Sequence, residues 1–192
     1  MTVHSPLPGF DQRGLLPPGD YHVTFDEIRA SHLVHGDGRS STWDSQWRAT
    51  LVNNCEVMVH QLWQAGITTV VLDGSFVEAK DHPSDIDGYF DCDVRQLPQL
   101  LQQLNGNDPA RIWDWNSSRR TFDVATGKHQ LPMWHRYHVE LYPNVQQPAG
   151  IPDRHGNPQL FPAAFRQQRG TYEQKGVLVL VQAQLQTQGG VK

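Results

Sequence analysis

The sequence contains few cysteines, the residues that form disulfide bonds and structural zinc sites in small proteins. Its 192 residues include only two cysteines, Cys55 and Cys92, and these do not form a CxxC pair. Neither a zinc knuckle nor a disulfide framework is therefore indicated, and reduced thiols are expected. Because a chain of this length can bury a sizeable core without such bonds or sites, we expect a single domain over residues 1–192.

Long apolar runs and a marked charge imbalance are also missing. The longest apolar run, residues 177–181, is far too short to cross a bilayer as a helix, and the first ten residues lack the pattern of a secretory signal. A formal net charge of −4 gives no global attraction to nucleic acid or anionic membranes. These absences predict a soluble, cytoplasmic protein that has no membrane partner and no general affinity for duplex nucleic acid.

Two predicted strands surround the segment in which chemically active residues are densest. Residues 67–72 form a β-branched run between glycines, which is typical of a buried strand. This strand leads directly into a Gly74-Ser75 turn. Residues 85–91 predict a second strand, on which Asp85 and Asp87 share one face because side chains alternate along a strand.

These residues have the chemistry of a metal and phosphate site. Asp85 and Asp87 would lie about 7 Å apart along the strand, close enough to reach a shared pair of ions, and Mg²⁺ prefers carboxylate oxygens. The Gly74-Ser75 turn supplies backbone N–H groups and a hydroxyl that suit a triphosphate. Lys80 stands between the two halves with a charge suited to phosphate. Weaker candidates for the same electrostatic role are Arg136, Arg166, Arg169 and Lys175.

Gly74-Ser75, a nine-residue gap and Asp85-Ile86-Asp87 resemble the motif of the DNA polymerase β-like nucleotidyltransferase superfamily. More narrowly, the chain resembles an uncharacterised family of small bacterial nucleotidyltransferase-like proteins. The segments that carry this second resemblance are Leu16-Pro17-Pro18-Gly19, Leu72-Asp73-Gly74-Ser75-Phe76-Val77, Pro83-Ser84-Asp85-Ile86-Asp87, Arg169-Gly170 and Lys175-Gly176-Val177. The resemblance implies an α+β nucleotidyltransferase fold with a mixed β-sheet flanked by helices. It also implies Mg²⁺ or Mn²⁺ as the cofactor and a nucleoside triphosphate as the substrate.

Members of the superfamily use a third carboxylate on a later strand, and the resemblance implies Glu140 for this role. Residues 134–142 alternate between apolar and polar, which predicts a half-buried strand with Glu140 on its polar face. Asp123 is a rival for the third position. The predicted catalytic and metal-binding residues are Asp85, Asp87 and Glu140, and the predicted nucleotide-binding residues are Gly74, Ser75 and Lys80.

The rest of the chain predicts the framework around this site. Helices are predicted for residues 25–32, 44–66 and 94–104, from capping residues and apolar spacings of three and four. The other predictions are an extended N-terminal surface arm over 1–20, a hairpin insertion over 105–133, a proline-rich surface excursion over 143–162, one or two helical turns over 162–169, a final strand over 175–181 and a flexible tail over 182–192.

Three functions are compatible with these patterns. The leading prediction is an enzyme that moves a nucleoside monophosphate from a nucleoside triphosphate to an acceptor hydroxyl and releases pyrophosphate. The second is a non-catalytic nucleotide-binding or protein-interaction module of the same fold, such as a toxin–antitoxin or defence component. The third is a metal-dependent hydrolase that uses His129, His135 and His138 near Glu140. The acceptor, which includes the alternatives of a protein, a small molecule and an RNA end, is not determined by the sequence.

Overall fold

The computed structural model describes residues 7–180 and residue 182, in which a mixed β-sheet is flanked by helices. The helices are α1 (Phe25–Ala30), α2 (His32–His35), α3 (Ser45–Gln64), α4 (Leu97–Asn107) and α5 (Pro132–Tyr137). The strands are β1 (Asp20–Val23), β2 (Val70–Asp73), β3 (Ile86–Asp91), β4 (Thr121–Asp123), β5 (Lys128–Gln130), β6 (Val139–Asn144), β7 (Pro148–Pro152), β8 (Pro158–Leu160) and β9 (Val177–Leu180). Short 3₁₀ helices cover Gly74–Val77, Ser117–Arg119 and Ala163–Arg166. The prediction of an α+β architecture with a mixed sheet is confirmed.

The main sheet has five strands in the order β1-β9-β2-β3-β6. β1 runs parallel to β9, and β3 runs parallel to β6, whereas β2 is antiparallel to both of its neighbours. Two separate hairpins, β4–β5 and β7–β8, complete the β structure. The first of these lies within the predicted insertion, which the structure shortens to residues 108–131 because α4 and α5 extend into it.

The two faces of the main sheet are covered by different apolar layers. One face packs against α3, whose buried apolar residues include five at the predicted helical spacing, namely Leu51, Cys55, Met58, Val59 and Leu62. On the other face, Val71 and Tyr89 form a second cluster with Phe161 and Phe165. Asp87 shares this second face with Tyr89, as the alternation along the strand predicted.

The predicted strand over residues 134–142 is wrong in its first half. Pro132 occupies the first turn of α5, where a proline needs no N–H partner, and the helix continues through Tyr137. His138 then adopts a left-handed conformation with φ 53°, and the strand begins at Val139. This strand, β6, continues through Pro143 to Asn144, so the predicted surface excursion over 143–162 is wrong at its start. Much of the remaining segment forms the β7–β8 hairpin. Because β6 is an edge strand, the missing N–H of Pro143 is tolerated.

Two helix boundaries differ from the predictions, one at a polar capping side chain and one at a proline. Thr24 and Glu27 form the predicted capping box, but the first helix ends at Ala30 because Ser31 caps α2 through the N–H of Leu33. The third predicted helix begins at Leu97 instead of residue 94, with Pro98 in its first turn.

The ends of the chain agree with the predictions only in part. Within the predicted surface arm, Phe10, Leu15 and Leu16 are buried in the core, so the described part of this segment is not merely draped over the surface. Residues 1–6, residue 181 and most of the predicted tail lie outside the described residues. No helix in the part of the chain that the structure covers has both the length and the apolar character needed to cross a bilayer.

Candidate functional site

A row of carboxylates crosses three neighbouring strands at one end of the main sheet. Asp73 is the last residue of β2. Asp87 is the second residue of β3, and Glu140 is the second residue of β6. In the register of the sheet, Asp87 is the partner of Asp73 on one side and of Glu140 on the other. Residues paired in this way project from the same face of a sheet, so the three carboxyl groups share one surface. Asp85, two residues before Asp87, belongs to the same face.

This surface is the floor of a cleft with a volume of about 950 Å³, within the range that suits a nucleotide-sized ligand. All six residues predicted for the site line this cleft; they are Gly74, Ser75, Lys80, Asp85, Asp87 and Glu140. The β4–β5 hairpin contributes Lys128, His129 and Gln130 to its walls, and Arg169 and Tyr172 also line it. The structure therefore brings the two halves of the sequence motif to one concave surface.

The surroundings of Asp87 make the negative charge of its carboxylate unfavourable. Burial raises the pKa of its carboxyl group well above the usual value, and the neighbouring Asp85, Glu140 and Asp73 raise it further. The charge of Lys175 acts in the opposite direction. An ionised Asp87 would therefore be stabilised by any cation that entered the cleft beside it.

The carboxylate of Asp85 is oriented by a hydrogen bond from a tryptophan side chain. The indole N–H of Trp134, in α5, donates to its Oδ2 at 2.8 Å, so the helix that replaced the predicted strand orients a site carboxylate. Burial raises the pKa of Asp85. The Trp134 hydrogen bond and the positive charges of Lys128 and Lys80 oppose this rise, while the charge of Glu140 adds to it.

The Gly74-Ser75 turn needs glycine for two reasons. Gly74 has φ +78°, and a Cβ placed on it would lie 2.6 Å from Oδ2 of Asp87. Glycine adopts this backbone conformation without strain and also makes room for the carboxylate. The carbonyl of Gly74 accepts a hydrogen bond from Nζ of Lys175 at 3.0 Å, and Ser75 lines the cleft.

Lys175 belongs to the structural support of the turn. Its buried ammonium group lies 2.6 Å from Oε1 of Glu78 and 3.2 Å from Oδ1 of Asp73. Burial lowers the pKa of Lys175, but the two carboxylates outweigh that effect and the pKa is raised. Burial raises the pKa of Asp73 to about 7, against the effect of Lys175. Because its charge is already paired, Lys175 has less capacity to bind phosphate than the sequence suggested.

Sequence reasoning missed the residue that holds the loop between the two halves of the motif. Arg48, in α3, is fully buried and donates hydrogen bonds to the carbonyl groups of Leu33, Phe76 and Lys80. Burial lowers the pKa of Arg48 to about 9. Through these bonds Arg48 fixes the backbone at Lys80, whose side chain lines the cleft.

The partners of Glu140 were also missed. Its Oε1 accepts hydrogen bonds from Nη1 of Arg120 and from the backbone N–H of Leu131, both at 3.2 Å. Its Oε2 accepts from the hydroxyl of Tyr142 and lies 3.5 Å from Nη2 of Arg120. Only 6% of Glu140 is exposed, so these partners occupy a carboxylate that has little contact with solvent.

The rival third carboxylate, Asp123, has a local role in the β4–β5 turn. Its Oδ1 accepts hydrogen bonds from the backbone N–H and the hydroxyl of Thr126, at 2.7 and 2.8 Å. The bond from the Thr126 N–H lowers the pKa of Asp123. Asp123 does not line the cleft described above, so the geometry favours Glu140 as the third member of the row.

The three histidines considered for a hydrolase have different surroundings. His135 contacts the hydroxyl of Thr121 at 2.8 Å, and the ring of His138 packs against Trp47 and Trp134. Of the three, His129 lines the cleft. This arrangement gives no support to a shared zinc site.

The donor set at the cleft fits a divalent cation in part. Across residues 7–180 and residue 182, no group of three or more His, Cys, Asp and Glu side chains has the arrangement of a metal site. Asp85 and Asp87 nevertheless offer oxygen donors on one face, and repulsion from its neighbours favours a cation at Asp87. These two residues fit Mg²⁺ or Mn²⁺, whereas the oxygens of Glu140 are hydrogen-bonded to protein groups.

The comparisons with known proteins give a family and no activity. A family model described as a family of unknown function (DUF6932) matches residues 8–181. No curated protein and no solved structure matches the chain.

Proposed function

Since the chain belongs to DUF6932, a family of unknown function, its activity has to be inferred from the cleft, and we propose that it is a metal-dependent nucleotidyltransferase. It moves a nucleoside monophosphate from a nucleoside triphosphate to an acceptor hydroxyl and releases pyrophosphate. The observation that carries this proposal is that the Gly74-Ser75 turn and the Asp85 and Asp87 carboxylates meet in one cleft. The nucleotidyltransferase fold, with its motif at the end of the sheet, is part of the same proposal.

In this proposal the chain supplies three kinds of contact to the nucleotide. Asp85 and Asp87 hold Mg²⁺ or Mn²⁺, which when bound neutralises phosphate charge and favours attack at phosphorus. The backbone N–H groups and the hydroxyl of the Gly74-Ser75 turn contact phosphate oxygens, and Lys80 adds a positive charge. Together these groups orient the triphosphate toward the acceptor, which lowers the entropic part of the barrier.

Glu140 as a catalytic residue and third metal ligand stays a prediction. Its place beside Asp87 in the register of β3 and β6 supports that role. Its hydrogen bonds with Arg120, Leu131 and Tyr142 favour a structural role instead.

Because the oxygens of Glu140 are hydrogen-bonded to protein groups, a second candidate function is also favoured. It is a nucleotide-binding or protein-interaction module without turnover, such as a toxin–antitoxin or defence component. A module of this kind would use the same turn and the same aspartates to bind nucleotide, and a protein would be its partner. An enzyme and a module differ in one product, because only the enzyme releases pyrophosphate.

The experiment that tests the proposal incubates the purified protein with each labelled nucleoside triphosphate, Mg²⁺ or Mn²⁺, and cell lysate. We expect pyrophosphate and label in a protein, RNA or small-molecule fraction, and this fraction identifies the acceptor class. Asp87→Asn should lower transfer at least about a hundredfold, because a bound metal contributes several kcal/mol to such reactions. Asp26→Asn, at an exposed position of α1, is the matched control and should behave as the native protein.

Two results would decide against the enzyme. Nucleotide binding without pyrophosphate release, for every nucleotide and both metals, would leave the binding module as the better account. Full activity of Asp87→Asn would contradict the mechanism itself.

A separate pair of variants tests the identity of the third carboxylate. A loss of activity in Asp123→Asn, with full activity in Glu140→Gln, would transfer the third-carboxylate role to Asp123.

A further inference from the structure

The β4–β5 hairpin is joined to β6 of the main sheet through Glu140, a buried carboxylate, and through Tyr142, whose hydroxyl accepts a hydrogen bond from Nη2 of Arg120 at 2.7 Å. Arg120 immediately precedes β4, and Leu131 immediately follows β5. Oε1 of Glu140 accepts a hydrogen bond from each of them at 3.2 Å. Arg120 also donates to the carbonyl of His129 at 3.2 Å, across the two strands of the hairpin. Glu140 therefore fixes both ends of the hairpin relative to β6.

This hairpin carries a cation into the wall of the cleft. Lys128, the first residue of β5, lines the cleft, and its charge acts on Asp85 in the same direction as the charge of Lys80. Lys175 and Arg120, which also line the cleft, have carboxylate partners. Lys128 has no ion-pair partner within residues 7–180. Lys128 is therefore a cation near Asp85, and its charge is available to a ligand in the cleft.

The positive charge of Lys128 in the wall of the cleft favours an anionic ligand. A lysine ammonium group binds phosphate as a mobile point charge with three donors, and its contribution depends on how closely the backbone holds it to the anion. The charge of Lys128 would meet phosphate oxygens that also face the Gly74-Ser75 turn across the same cleft. Lys128 was not singled out by the sequence motif, because the hairpin lies outside it.

We propose that Lys128 binds the triphosphate of the nucleotide, and that Glu140 is a positioning residue that holds Lys128 in the cleft through Arg120 and Leu131. The inference rests on the proposed function for the identity of the anion. It assigns Glu140 to holding the β4–β5 hairpin that forms part of the wall of the cleft, and it leaves Asp85 and Asp87 as the acidic pair that faces the cation.

The test measures binding of inorganic tripolyphosphate with Mg²⁺ to the full chain by calorimetry. Lys128→Met should weaken binding about tenfold or more, because a hydrogen bond between charged groups is lost, and Lys128→Arg should restore most of it. Arg95→Met removes a charged side chain that is 85% exposed and does not line the cleft, and it should leave binding unchanged. A Lys128→Met protein that binds as tightly as the native protein would overturn the proposal.

A double-mutant cycle tests the positioning role of Glu140. If Glu140 acts through Lys128, Glu140→Gln weakens binding in the native background but adds little to Lys128→Met. Hydrogen exchange of residues 121–130 should become faster in Glu140→Gln, because one end of the hairpin loses a charged partner. Arg120→Lys perturbs the same contact more mildly and replaces Glu140→Gln if that variant does not fold. Fully additive effects, together with unchanged exchange, would show that Glu140 does not act in this way.

The outcomes also separate this inference from the proposed function. Binding of tripolyphosphate that depends on Lys128, without pyrophosphate release from any nucleotide, would contradict the enzyme and support the inference. Nucleotidyl transfer that is insensitive to Lys128 would support the enzyme and overturn the inference.

Discussion

Gly74→Ala is the sharpest single test of the geometry of the cleft. The φ of Gly74 is +78°, and the added methyl carbon would lie 2.6 Å from Oδ2 and 3.1 Å from Cβ of Asp87. Ordinary van der Waals contact begins at 3.4 Å. The methyl group therefore acts on a proposed metal ligand directly, in addition to any strain in the backbone.

A matched variant separates these two effects. Gly66 has φ +89°, but a Cβ placed there has nothing within 4 Å. An alanine in this left-handed region costs about 1–2 kcal/mol, so Gly66→Ala should lose that much free energy of unfolding. Gly74→Ala should lose about 1–3 kcal/mol more, the usual cost of an extra carbon forced into a packed site.

The assays are urea unfolding and Mn²⁺ binding followed by electron paramagnetic resonance. We expect Gly66→Ala to bind Mn²⁺ as the native protein does and Gly74→Ala to bind it at least about tenfold more weakly, a difference of about 1.4 kcal/mol. Equal stability and equal Mn²⁺ affinity of the two variants would refute the reasoning that close contact between Gly74 and Asp87 shapes the site.

Two further predictions concern buried charge. Because the pKa of Asp87 is raised on folding, the folded state holds its proton to higher pH, and stability falls as pH rises above the usual value of 3.8. Asp87→Asn should therefore be more stable than the native protein at about pH 8 in chelator, with a smaller difference at about pH 4, in urea unfolding. Arg48→Met leaves the carbonyl groups of Leu33, Phe76 and Lys80 without their donor, the first two of them buried, and should cost at least about 3 kcal/mol by the same measurement. Its control, Arg95→Met, removes a side chain that is 85% exposed and should cost less than about 0.5 kcal/mol.

The sequence predicted the local geometry of the site well. The β-branched run before Gly74 and the alternation after Asp85 depend on neighbours in the chain, and both strands form within three residues of their predicted starts. It predicted residues 134–137 poorly, because a short run of alternating apolar and polar residues also fits a single helical turn. The helix was decided by Pro132 and by the burial of Met133 and Trp134.

Distant partners could not be predicted in the same way. The burial of Arg48 could not be predicted because its partners are backbone carbonyl groups, which every residue carries. One of them, the carbonyl of Phe76, lies 28 residues away in the chain. Lys175 and Gly74 are 101 residues apart and meet because β9 lies beside β2. In sequence, Lys175 could not be distinguished from the exposed cations with which it was grouped.

By itself, the sequence determined that a turn with a glycine and a hydroxyl stands between two strands, and that two aspartates share one face of the second. These features follow from backbone geometry over a few residues. The tertiary structure alone decided that Asp73, Asp87 and Glu140 form one row, because strand register sets which side chains are neighbours. It also decided that Glu140 holds the β4–β5 hairpin, because a buried carboxylate has to be paired with whatever donors the packing brings to it.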